Sequence, residues 1–223
     1  MRQLYTDNHV VLVDTGGGKL ADTCGKLTAN LEAEQVSPED IDTVVITHCH
    51  PDHLGGCLDA DGNPAFRNAR YIISQDDWDF WTSDAAEKAK DFSHKELILG
   101  FNRSILPGLE SVVRGAAGGQ EIVPGVRAVS SPGHTPGNIS LVVESEGKQL
   151  LHASDAWLHP VHLRRPEWPV ATAIDANKAV ASRKALLEMA VDRDILVFAT
   201  HMPFPGLGYV ERDTTGYRWK AYA

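Results

Sequence analysis

Thr47-His48-Cys49-His50-Pro51-Asp52-His53-Leu54-Gly55-Gly56 places three histidines and one aspartate within six residues, just before a Gly-Gly pair. The run Thr43-Val44-Val45-Ile46-Thr47 leads straight into it and reads as a buried β-strand. The cluster therefore sits in a turn at a strand's carboxyl end. Residues two apart point the same way from extended backbone, so His48 and His50 can share one ion. Pro51 stiffens the bend, which turns Asp52 and His53 towards a second ion. Imidazole and carboxylate suit divalent first-row metals, zinc above all. Gly55 and Gly56 let the chain leave by a tight path. Cys49, between two ligands, is expected to point away from them and pack.

Outward from this cluster, short β-branched runs alternate with helical stretches. Strands are expected at 9–14, 43–47, 69–74, 110–113, 126–130, 139–144, 149–153 and 195–199. Helices are expected at 27–35, 75–104 and 177–190, the last being amphipathic. Ser37-Pro38-Glu39-Asp40 has the pattern of an N-cap followed by proline. The segment after residue 201 reads as turn-rich. No repeat, linker or low-complexity segment interrupts the 223 residues. The organisation expected is one mixed α/β domain over 1–223.

Composition removes several function classes. The net charge of −9, from 21 basic and 30 acidic side chains, opposes a phosphate-gripping nucleic-acid binder. No apolar run is long enough for a membrane span, and the first residues lack a secretory pattern. Cys24, Cys49 and Cys57 are odd in number and lack CxxC spacing, so the expected setting is a reducing cytoplasm.

His48-Cys49-His50-Pro51-Asp52-His53 resembles the HxHxDH signature of the metallo-β-lactamase superfamily. Later segments resemble the family in the same order. Ser131-Pro132-Gly133-His134-Thr135-Pro136-Gly137 is similar to its GHTPG turn, Leu150-Leu151-His152-Ala153-Ser154-Asp155 to its bridging-aspartate strand, and Thr200-His201 to its last histidine. The resemblance implies an αββα sandwich with a binuclear site at one edge. It implies His48, His50 and His134 on one ion, Asp52, His53 and His201 on the other, and Asp155 shared. Two ions, expected to be Zn2+ and about 3.5–4 Å apart, would then hold a bridging hydroxide that attacks an ester, lactone or phosphotriester. Asp52 and Asp155 are the carboxylates tied to that chemistry. Asp14 matches a family position and either orients a ligand histidine or forms a turn.

Within the superfamily, the chain resembles the branch of acyl-homoserine-lactone lactonases and methyl-parathion-hydrolase-like enzymes. The segments at 159–163, 166–168 and 203–208 carry that resemblance. Flavodiiron proteins usually have Glu where His50 stands, and zinc β-lactamases generally lack the bridging aspartate. Many lactonases place a Tyr shortly after that aspartate, whereas Ala156-Trp157-Leu158-His159 has none. An aromatic-lined pocket is the alternative, with Trp157, His159, His162 and Phe204 as wall or packing residues. The stretch from Trp78 to Phe101 is either a lid or core.

A non-catalytic metal scaffold and a mononuclear iron dioxygenase of the same fold stay open as alternatives. Relatives usually have several strands before the Val13-Asp14-Thr15-Gly16 strand. Here some N-terminal strands are expected to be missing, leaving an unpaired edge at the strand that carries Val10-Val11-Leu12-Val13 or at its neighbour, and favouring a two-fold homodimer. The competing expectation is that residues 1–8 fold back over this edge. The partner expected at the site is a small molecule, with neither nucleic acid nor membrane involved.

Overall fold

A computed structural model describes residues 2–6 and 8–222. The chain divides into two compact units, Met1–Ala116 and Ala117–Ala223. Each unit contains one sheet, of five strands in the first and seven in the second.

The first unit runs β1 (Arg2–Tyr5), β2 (Val10–Val13), α1 (Leu27–Ala33), β3 (Thr43–Ile46), α2 (Pro51–Leu54), β4 (Arg70–Ser74), α3 (Gln75–Thr82), α4 (Ala85–Lys88), α5 (Lys95–Ile105) and β5 (Val113–Ala116). Its sheet order is β1-β2-β3-β4-β5. Strands β2 to β5 are parallel, whereas β1 is antiparallel to β2. All four residues of β3 are buried, as befits a central parallel strand covered on both faces. Because β2, β3 and β4 run the same way, the residues that follow Val13, Ile46 and Ser74 emerge at one end of the sheet. Those residues include Asp14, the histidine cluster and Asp77.

The second unit runs β6 (Glu121–Val123), β7 (Val126–Ser130), β8 (Ile139–Ser145), β9 (Lys148–His152), α6 (Val161–Arg164), α7 (Ala176–Asp192), β10 (Leu196–Phe198), β11 (Leu207–Asp213) and β12 (Gly216–Ala221). Its sheet is antiparallel except where β10 joins β9. There Phe198 pairs with His152. Asp155 and His201 each lie three residues beyond that pair, so one register fixes both. Strand β7 ends beside them in sense, because it and β9 both run opposite to β8.

Four expectations are corrected. The edge of β2 is covered: β1 pairs with it from Arg2↔Val13 to Tyr5↔Val10. The stretch 75–104 is three helices. Ser83 and Ala89 are extended, and His94 enters the left-handed region at φ 63°, so each break ends the i→i−4 ladder. The strand expected at 110–113 instead occupies Val113–Ala116, because a 3-10 turn holds Leu106–Leu109. The segment after residue 201 is not mostly turn, since β11 and β12 form a six-pair hairpin.

The expected buried aromatics are divided. Trp81 and Phe92 are 5% and 8% exposed and serve as core, while Trp78, Phe80 and Phe101 are half-buried. No helix among the described residues is long and apolar enough to cross a membrane.

Candidate metal centre

In the first unit, the end of β2 is bound to the end of β3. The Asp14 amide donates to the Val45 carbonyl at 2.8 Å. Asp14 then turns into the left-handed region at φ 58°, a conformation in which Asp is one of the few tolerated side-chain-bearing residues. Its carboxylate accepts from the Thr47 amide at 2.8 Å, from the Thr47 hydroxyl at 3.0 Å, and from His53 Nδ1 at 2.8 Å. That last bond fixes the His53 ring and leaves Nε2 as the ring nitrogen not engaged by Asp14. Asp14 thus both turns the backbone and contacts the His53 ring.

The histidines are close. The rings of His48 and His50 are 4.7 Å apart and edge-on, and those of His48 and His53 are 4.1 Å apart. Potential ligand atoms of His48 and His50, and likewise of Asp52 and His53, lie within 4.8 Å of one another. His48, His50 and His53 are buried, while the Asp52 side chain is 44% exposed.

Two residues that the sequence did not single out hold this turn. Asp77 of α3 is fully buried and accepts from the Cys49 amide at 2.7 Å. Asn102 of α5, also buried, donates to the Cys49 carbonyl at 2.9 Å. The backbone between His48 and His50 is thus clamped on both sides. Cys49 itself is buried, and desolvation together with the nearby Asp77 charge pushes its thiol well above the usual range. Burial likewise pushes Cys57 up to about 12.

In the second unit, Asp155 lies between two imidazoles. Its Oδ2 is 3.3 Å from His134 Nε2 and 3.2 Å from His201 Nε2. Asp155 and His134 are buried, and His201 is 35% exposed. The His134 turn is fixed from α7: Asp175 and Ile174 amides donate to the Gly133 and His134 carbonyls at 2.9 and 3.1 Å. Gly133 has φ 126°, and a Cβ there would stand 2.0 Å from the Ala179 amide nitrogen, so no other residue fits.

The four expected wall residues differ in their surroundings. Trp157 is fully buried in the core of its unit, together with Leu163, Leu187, Met202 and Tyr217. Its wall role is replaced by packing, because none of its surface reaches solvent. His162 is also buried and accepts from the Leu158 amide at 3.3 Å. Burial, with Arg183 nearby, pushes it down to about 4 and keeps it neutral. His159 is exposed, and Phe204 is 98% exposed. The intervening chain is held by the buried Arg183, which donates to the carbonyls of Ala156, Pro166 and Trp168 at 2.8, 3.0 and 2.6 Å.

The donor chemistry in both units, imidazole with carboxylate, suits divalent first-row ions. The oriented His53 ring is the second feature such sites require.

The profile of the metallo-beta-lactamase superfamily matches residues 3–201, and the chain belongs to that superfamily. It is 29% identical over 164 residues to an N-acyl homoserine lactonase of Bacillus cereus, covering 74% of this chain and 57% of that protein. A counterpart from Bacillus sp is 30% identical over 165 residues, with the same coverage of each chain. The chain therefore spans a little over half the length of these curated relatives. Among solved structures, the dizinc quorum-quenching lactonase AidC matches 99% of this chain and 78% of its own, with TM-score 0.88 and 26% identity. The hydrolase AbOPH matches 97% of this chain and 77% of its own, with TM-score 0.88 and 27% identity. The metallo-β-lactamase fold and the lactonase-like branch expected from the sequence are borne out.

Proposed function

We propose that this chain is a binuclear metal-dependent hydrolase whose two units act as one domain, cleaving an ester, lactone or phosphotriester. The observation that carries the reading is Asp155 Oδ2 beside both His134 Nε2 and His201 Nε2, as a shared carboxylate requires. His48, His50 and His134 would hold one ion, and Asp52, His53 and His201 the other, with Asp155 common to both. Zinc is the metal proposed, since AidC is a dizinc enzyme and the donors suit it. Two such ions supply Lewis acidity, which acidifies water and polarises the attacked carbonyl or phosphoryl group.

The chain's own residues do the positioning. Asp14 holds His53 in one tautomer, and Asp77 with Asn102 keeps His48 and His50 on the same side of their turn. Asp52 and Asp155 contribute negative charge that offsets the cations. The relatives include N-acyl homoserine lactonases, so a small-molecule lactone is the first substrate to test. Phe204 and His159 are the exposed side chains proposed for substrate contact, and His162 supports the segment from within.

The assembly proposed is a homodimer, now through β1, the outermost strand of its sheet. A strictly monomeric mass in light scattering at every dilution would reject it. The compartment proposed is the cytoplasm, in keeping with three cysteines that form no disulfide.

Elemental analysis and a panel of lactones, aryl esters and phosphotriesters, run on one preparation, test the function. Two zinc ions per chain with turnover of at least one class supports it. One iron per chain would point to a dioxygenase, and zinc without turnover to a scaffold.

A further inference from the structure

The turn bearing His134 and the turn bearing Asp155 are joined by a chain of hydrogen bonds through Asn138. The Ser154 hydroxyl donates to Asn138 Oδ1 at 3.0 Å. Asn138 Nδ2 donates to the Ser131 hydroxyl at 2.8 Å and to the Ser131 carbonyl at 3.1 Å. The Ser131 and Ser140 hydroxyls are 3.0 Å apart, and Ser140 donates to the Ala153 carbonyl at 3.1 Å. The path leaves the backbone at Ser154 and returns to it at Ala153. Ser131, Asn138, Ser140 and Ser154 are each no more than 2% exposed, so water does not compete for these bonds.

The direction of the bonds specifies the residue. Ser140 uses its hydrogen on the Ala153 carbonyl, so the Ser131 hydrogen goes to Ser140 at 3.0 Å or to the Asn138 carbonyl at 3.3 Å, and either way it is spent. Ser131 then needs a donor of its own, while Ser154 needs an acceptor. An amide side chain offers one end of each kind. A carboxylate has no donor, and an aliphatic residue has neither.

The backbone adds to this closure. The Ser131 amide donates to the Asn138 carbonyl at 3.0 Å, which closes the loop carrying His134. On the other side, Ser154 stands at φ 51°, directly before Asp155. A non-glycine residue is costly in that conformation and needs its surroundings to hold it. Asn138 supplies such a hold through the Ser154 hydroxyl.

We propose that Asn138 is a positioning residue that sets the separation of His134 and Asp155, and thereby the affinity of the site for its ions. The inference rests on the proposed reading of those two residues as ligands. It does not require Asn138 to touch metal or substrate. Its effect is that of a partner behind the ligands, for which losses of roughly 10- to 100-fold in metal affinity are typical.

Zinc affinity measured by competition with a chromogenic chelator tests this on the full chain, with circular dichroism confirming the fold. Asn138→Ala cuts the path at its centre. Ser154→Gly removes the hydroxyl together with its Cβ, and glycine accepts φ 51° without strain, so this variant keeps the backbone. Val210→Ala, in the core of the same unit and outside the path, lowers stability alone. The result expected is a zinc dissociation constant raised by about 10-fold or more in Asn138→Ala and Ser154→Gly, and unchanged in Val210→Ala. Wild-type affinity in folded Ser154→Gly overturns the proposal. So does an equal weakening in Val210→Ala, which would make affinity follow stability. Absence of zinc binding by the wild-type chain would overturn the ligand reading itself, and this inference with it.

Discussion

Asp14 Oδ2 and His53 Nδ1 are 2.8 Å apart, although 39 residues separate them in the chain. Both side chains are almost wholly buried. The bond is made where parallel strands β2 and β3 end side by side, so sheet register brings the pair together.

Asp14→Asn isolates the charge in this pair. Asparagine tolerates the left-handed backbone at φ 58° as well as aspartate does. The fold should persist while zinc affinity falls by roughly 10- to 100-fold. Equilibrium dialysis against buffered zinc gives the answer, and undiminished affinity would falsify the orienting role.

Asp155→Asn keeps the shape of the carboxylate and removes its charge. Metal content and turnover should fall together, since both proposed ions lose a ligand. Full metal and full activity in this variant would show that the shared carboxylate lies elsewhere.

The three thiols should differ sharply in reactivity. Cys49 and Cys57 are fully buried and held in the neutral form, whereas Cys24 is partly exposed. Alkylation at pH 8 should modify one thiol per native chain and three in denaturant. Mass spectrometry should place the native adduct on Cys24; rapid native labelling of Cys57 is the contrary result.

His162 predicts a specific acid sensitivity. Its folded value, near 4, lies below its ordinary 6.5, mainly through burial. Between those values the unfolded chain holds a proton that the folded chain does not. Its contribution to stability is therefore complete above about 6.5 and is lost as pH falls towards 4. Metal-free wild type should lose more stability between pH 7 and pH 4.5 than metal-free His162→Gln does. Equal losses in urea titrations would remove His162 as a source.

The proposed ligands were legible in the sequence because each belongs to a short motif at the end of an apolar strand. Their supports were not. Asp77 and Asn102 reach the Cys49 backbone from 28 and 53 residues away, and neither belongs to a local pattern. Asp77 did leave a trace: it is an acidic residue one helical turn before buried Trp81, on the same face of α3. Trp157 was left open between wall and packing, because an aromatic residue looks the same in sequence whether it lines a pocket or fills a core; the structure puts it in the core. The last hairpin was obscured by Pro203 and Pro205 before it and by the charged residues within it. The alternation of Tyr217, Trp219 and the intervening basic side chains was nevertheless present.

The pairing of Phe198 with His152 acts as a ruler laid across two strands. Asp155 and His201 are both read off it at the third mark. Insertions between strand and ligand should therefore be rejected during evolution on either strand, whereas lengthening at Thr214-Thr215, beyond the far end of β11, leaves the scale untouched. Length variation among homologous chains should follow that division, with fixed spacing before Asp155 and His201 and free spacing at the hairpin tip.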